Sequence, residues 1–269
     1  MGFFEALDAR IGAADSVVSV GLDPDPSRLP SFLDAELPRW AFNRRVIDAT
    51  HEHAACYKPN AAFYEDPDGW RALAETVAYA HGKGVPVLLD AKRGDIGNTA
   101  RQYATALDPA GLDADAITVN PYMGRDTLEP YLSRSGKGVF VLCRTSNSGG
   151  ADFQNLDVGN DKPLYQYVAE RCAAWDEHDN VGLVVGATAP EELERLRDAV
   201  DRPFLVPGVG AQGGDAEAAV EYGLADGVGL VNSSRGIVFA GEGADDEGAY
   251  FRAVGDAAKR LKRRLNEFR

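Results

Sequence analysis

Short apolar runs alternate along the chain with longer stretches of helical character. The runs that read as buried strands are 16–22, 54–59, 85–89, 116–120, 138–143, 181–186, 203–207 and 227–231. Between and after them, helices are expected over 39–53, 67–81, 97–106, 126–133, 163–178, 190–200, 215–222 and 247–268. Several of these open with the Pro or Asp that starts a helix, and the connections carry Gly and Pro. Residues 3–11 read as an extra helix that would cap the bottom of the fold.

Eight strands, each followed by a helix, in about 250 residues describe a (β/α)8 TIM barrel of class α/β. An open, doubly wound sheet is the structural competitor. It usually needs fewer strands, and no GxGxxG follows the first one here. No linker or shift in composition divides the chain, so residues 1–269 are expected to form a single barrel domain.

Composition narrows the function. The chain carries 42 acids against 28 bases, a net charge of -14. The acids are spread throughout, Asp outnumbers Glu, and Arg far outnumbers Lys. With no basic stripe, nucleic-acid binding is not expected. A uniformly acidic, lysine-poor surface is the pattern of a salt-adapted protein. No run of 18 apolar residues occurs, so no membrane span is expected. The first residues show neither the basic start nor the long apolar core of a signal peptide. Cys56, Cys143 and Cys172 lack paired spacing, which argues for a reducing compartment, the cytoplasm, and against a zinc site.

The chemistry gathers where the strands end. Asp90-Ala91-Lys92-Arg93-Gly94-Asp95 follows the third apolar run. Strand side chains alternate, so Asp90 and Lys92 are expected on one side, with Asp95 a turn later. The first strand ends in Asp23 and the second in Lys58. Neighbouring parallel strands lie about 4.8 Å apart, so Asp23, Lys58, Asp90 and Lys92 can form one array of alternating charge. Desolvating such charges is costly, and chemistry is a reason to put them there. Carboxylates beside Lys92 favour its ammonium form, which suits an acid rather than an imine-forming nucleophile. None of the four histidines is expected on this face, and no metal-ligand spacing is present.

The last two strands carry a second signal. Gly208-Val209-Gly210-Ala211-Gln212-Gly213-Gly214 follows the seventh, and Asn232-Ser233-Ser234-Arg235-Gly236 ends the eighth. Glycines let backbone N–H groups approach an anion, and Arg235 offers a planar fork for phosphate. These two loops form the usual phosphate site of such barrels. The longest irregular stretch, 145–162, follows the fifth strand and would sit on the same face as a lid or an interface.

Together, Asp23, Lys58, Asp90-x-Lys92-x-x-Asp95-Ile96, the Gly208–Gly214 loop and Ser234-Arg235 resemble the orotidine 5′-phosphate decarboxylase family over essentially the whole chain. Lys58-Pro59-Asn60 and Cys143-Arg144-Thr145-Ser146-Asn147 are most similar to its branch from various prokaryotes. The resemblance implies decarboxylation of orotidine 5′-monophosphate to uridine 5′-monophosphate, with no metal or organic cofactor. It assigns Lys92 the protonation of C6, Asp90 a place against the departing carboxylate, and Lys58 a link between ribose and charge network. Asp23 would bind a ribose hydroxyl. Asp95 and Thr99 would enter from the second subunit of a homodimer with shared sites. Gln212, Gly213, Ser234 and Arg235 would hold the phosphate. Thr145, Ser146 and Ser148 all stand where the pyrimidine is contacted, and the family pattern aligns Ser146. Ser234 departs from the Gly that often precedes the phosphate Arg.

Two other readings are open at this stage. One is a magnesium-dependent sugar-phosphate decarboxylase or aldolase of the same superfamily, although those carry an acid where this chain has Lys58. The other is a nucleotide-phosphate binder without turnover, which would not need Asp90 and Lys92.

Overall fold

The computed structural model describes residues 1–33, 35–186, 189–209 and 215–269. Its strands are β1 (Val18–Leu22), β2 (Cys56–Pro59), β3 (Leu88–Arg93), β4 (Ala116–Val119), β5 (Gly138–Arg144), β6 (Val181–Val185), β7 (Phe204–Pro207) and β8 (Leu230–Ser233). All pair in parallel, in the order β2-β1-β8-β7-β6-β5-β4-β3. The two ends of that order meet through parallel bridges, Tyr57 to Val87 and Asn60 to Asp90, which close the sheet into a barrel. Strands β1 and β6 are buried along their whole length, as expected of parallel strands covered on both faces.

The helices are α1 (Phe3–Ala14), α2 (Pro38–Thr50), α3 (Pro67–Gly82), α4 (Gly97–Ala104), α5 (Arg125–Leu132), α6 (Ala151–Gln154), α7 (Leu164–Ala174), α8 (Pro190–Ala199), α9 (Ala216–Glu221), α10 (Arg235–Val238) and α11 (Glu247–Asn266). Proline opens α2, α3 and α8, where its missing N–H costs nothing. The side chains of Asp66, Asp215 and Asp246 accept backbone N–H groups in the first turns of α3, α9 and α11. Each such cap contributes about 1 kcal/mol.

The N-terminal helix runs to Ala14, three residues beyond the expected 3–11. It buries Phe3, Leu7, Ile11 and Ala14. The Phe3 ring meets Phe140 edge-on at 6.0 Å and lies over Gly138, the first residue of β5, where no side chain would fit. The helix thus plugs the end of the barrel opposite the strand C-termini. Among the described residues no helix is long and apolar enough to cross a membrane.

One strand boundary differs in a way that matters. The third strand was expected over 85–89 and instead runs Leu88–Arg93. Pro86 cannot donate to a ladder, and Val87 makes a single bridge. Asp90, Ala91 and Lys92, expected at the strand's end, lie within the strand, and they carry a bulge. Pairing passes from Leu89–Ile117 directly to Arg93–Val119.

Candidate active site

The strand C-termini bring Asp23, Lys58, Asp90 and Lys92 to one end of the barrel. Asp90 is the centre. Its Oδ2 accepts from Lys58 Nζ at 2.9 Å and from Asn60 Nδ2 at 3.5 Å. Its Oδ1 accepts from Lys92 Nζ at 2.6 Å and Thr118 Oγ1 at 2.9 Å. Asp23 Oδ1 accepts the Asn60 N–H at 3.3 Å. The end of β1 is held from behind, where Tyr64 Oη donates to the Leu22 carbonyl at 2.8 Å. Asn43 in turn donates to Tyr64 Oη.

Lys58 is 5% exposed and Asp90 7%, so neither charge is tolerable without the other. Burial would raise the pKa of Asp90, but Lys58 and Lys92 outweigh it and hold the carboxylate well below its ordinary range. Burial likewise opposes the charge on Lys58, and Asp90 and Asp23 reverse that and raise its pKa. The Lys92 side chain is different. It is 46% exposed, against 10% for Asp90. Its ammonium is anchored on a buried carboxylate and opens to the mouth of the barrel.

Asp90 and Lys92 meet as expected, but not by simple strand alternation. Lys92 has φ +48°, on the bulge. Asp95 follows in the loop, half-buried, accepting the Ile96 N–H at 2.8 Å. Within the chain Lys92 pairs with Asp90 and not Asp95. Thr99 is exposed on the first turn of α4.

The loop after β5 is tied to its own strand. Gln154, on α6, accepts the Thr145 N–H at 2.9 Å and donates to Thr145 Oγ1 at 2.8 Å. Thr145 Oγ1 donates to Asn147 Oδ1. Arg144 bridges Gln154 Oε1 at 3.1 Å and Glu192 of α8 at 2.8 Å. Ser148 is exposed in a short 3-10 turn. Ser146 is half-buried and lies against Gly186 at the end of β6, where an added Cβ would stand 3.0 Å from the serine Cβ and N. Of the three hydroxyls expected near the ring, that of Thr145 is therefore used within the loop.

After β8, Ser234 precedes α10, and its Oγ is buried without a hydrogen-bond partner among the described residues. Arg235 is exposed at the first position of that helix. Gly208 has φ +101°. Gln212 and Gly213 lie outside the described residues.

At the C-terminal end of the barrel the described residues gather a buried carboxylate clamped between two ammonium groups, one buried and one exposed. The chain matches the family described as "Orotidine 5'-phosphate decarboxylase / HUMPS family" over residues 16–247. The chain belongs to this family. It is 84% identical over 269 residues to an orotidine 5'-phosphate decarboxylase from the halophilic archaeon Natronomonas pharaonis, covering 100% of both chains. Among solved structures, it is 44% identical to Leishmania donovani UMP synthase, with a TM-score of 0.85, covering 100% of this chain and 56% of that one. It is 42% identical to Leishmania donovani OMP decarboxylase, with a TM-score of 0.83, covering 100% and 99%.

In this family member, the sequence pattern brought Asp23, Lys58, Asp90 and Lys92 to light. It missed Thr118 and the brace of Arg144, Gln154 and Glu192. Thr118 is a β-branched residue in the strand Ala116–Val119, where such residues are common for packing alone. Nothing local marks it as polar machinery. Among the described residues no cluster of three or more His, Cys, Asp or Glu side chains could hold a metal ion. The three cysteines are buried, and burial pushes their thiols up, Cys172 to about 12.

Proposed function

We propose that the site decarboxylates orotidine 5′-monophosphate to uridine 5′-monophosphate, a step of pyrimidine biosynthesis, with Lys92 as the proton donor. The observation that carries this reading is the Asp90 carboxylate clamped between Lys58 and Lys92, with only the Lys92 ammonium opening to the mouth.

The C6–carboxylate bond breaks heterolytically and carbon dioxide leaves with neither electron of the pair. Negative charge is left on a ring carbon, where resonance spreads it poorly. The Lys92 ammonium is fixed before the reaction, so it stabilises that charge as it develops, without reorganisation. It then gives its proton to C6 and regains one from solvent. Asp90 stands against the departing carboxylate and holds Lys92 in place. Lys58 keeps Asp90 ionised and links it to the ribose, whose hydroxyl Asp23 accepts. Ser146 contacts the pyrimidine. Gln212, Gly213, Ser234 and Arg235 hold the phosphate, which is remote from the reacting bond. Its binding energy can therefore offset distortion there. The scheme uses no metal and no organic cofactor.

The working form is a homodimer in the cytoplasm. Lys92 pairs with Asp90 rather than with Asp95 of its own chain. Ile96, Tyr122, Met123 and Phe153 are 60%, 87%, 46% and 65% exposed. They sit on the loops after β3, β4 and β5, around the mouth. Apolar exposure of this kind marks an interaction surface. A second copy covering it would bring its Asp95 and Thr99 to the site.

The test is the ultraviolet absorbance of orotidine 5′-monophosphate mixed with the protein in molar KCl with EDTA. Loss of the orotate band with formation of uridine 5′-monophosphate supports the proposal. No change with folded protein overturns it.

A further inference from the structure

A φ of +48° at Lys92 is a conformation a non-glycine residue holds only when its surroundings enforce it. The β3–β4 ladder shows what does so. Because pairing passes from Leu89–Ile117 to Arg93–Val119, residues 90, 91 and 92 stand opposite Thr118 alone. A bulge takes backbone groups out of the ladder, and the Lys92 N–H is one of them. It donates to Thr118 Oγ1 at 2.9 Å. Thr118 is 1% exposed and donates its own proton to Asp90 Oδ1 at 2.9 Å. That same oxygen receives the Lys92 ammonium. A closed ring results: the Lys92 backbone, the Thr118 hydroxyl, the Asp90 carboxylate and the Lys92 side-chain tip. One hydroxyl has one proton, so the ring has one polarity.

We infer that Thr118 is a positioning residue for the decarboxylation, fixing both the bulge that aims Lys92 and the carboxylate oxygen on which its ammonium rests. The inference depends on Lys92 being the proton donor. Valine has nearly the same shape but can neither accept the amide nor hold Asp90. It frees the bulge to relax toward an ordinary strand, which moves the ammonium away from C6. The phosphate and ribose groups sit on other strands and keep their places.

Wild type, Thr118→Val and Thr118→Ser are to be compared for turnover of orotidine 5′-monophosphate and for affinity toward uridine 5′-monophosphate. In Thr118→Val, kcat is expected to fall about 10- to 100-fold, the scale of a misplacement near 1 Å. KM and nucleotide affinity stay within about threefold, and Thr118→Ser keeps kcat within about threefold of wild type. Unchanged kcat in Thr118→Val overturns the inference. So does a loss that serine does not restore, or one matched by an equal loss of nucleotide affinity, since either describes a merely structural threonine. Should valine prevent folding, Thr118→Ala gives the same comparison. A wild type that leaves the substrate intact overturns the functional reading instead.

Discussion

Gly21 on β1 lies against Ser234, so close that a methyl group on Gly21 would stand 2.5 Å from the serine Cβ. The contact sets where the chain leaves β8 and hence where Arg235 emerges. Gly21→Ala forces that loop outward. Overpacking of this kind destabilises by about 1–3 kcal/mol. The expected result is a lower melting temperature and a raised KM for orotidine 5′-monophosphate, with kcat less affected because Lys92 stands on β3, separated from β1 by β2. Steady-state kinetics and thermal unfolding together check it.

Shared sites predict complementation between two inactive variants. Lys92→Ala lacks the donor, and Asp95→Ala lacks the group supplied across the interface. In a mixed dimer one site has both defects and the other has neither. After random exchange of subunits, roughly a quarter of wild-type activity is expected in a two-fold assembly. No recovery after demonstrated exchange contradicts the shared arrangement.

The barrel was legible because its strands are short apolar runs separated by capped, proline-started helices. Those signals are local, and all eight strands and eight helices overlap their expected ranges. The catalytic end was legible only in part. Asp23, Lys58 and Asp90 are charges at strand ends, which stand out against apolar runs. The conformation of Lys92 had no such sign, since left-handed backbone is announced by Gly, Asn or Asp. The bulge depends on a partner 26 residues away, Thr118. The loop over 145–162 looked irregular, yet its Gln154 holds Thr145 from a one-turn helix. Tertiary hydrogen bonds of this kind leave no periodic trace.

Opposite the site, His81 Nε2 lies 2.8 Å from Asp115 Oδ2, which also accepts the Val87 N–H. The hydrogen bond that His81 donates to Asp115 raises the His81 pKa against burial, which lowers it. A raised folded-state pKa gives stability that is complete below the unfolded value, about 6.5. That stability is lost as pH rises through the folded value. His81→Gln should therefore lower the melting temperature at about pH 5.5 and change it much less at about pH 9. Equal losses at both pH values would falsify the assignment.

The net charge of -14 makes the fold self-repelling at low ionic strength. The Debye length is about 10 Å in 0.1 M salt and about 3 Å at 1 M. The melting temperature is expected to rise steadily from low to molar KCl. A melting temperature indifferent to salt would contradict the reading of the surface as salt-adapted.

The most direct test of Lys92 as proton donor is the Lys92→Ala variant, followed by the ultraviolet loss of orotidine 5′-monophosphate and by binding of uridine 5′-monophosphate. Turnover is expected to fall by at least roughly 10³-fold, with the variant still folded and still binding the nucleotide through its phosphate. Turnover near the wild-type rate would contradict the account, because among the described residues Lys58, the other ammonium of the clamp, is buried against Asp90.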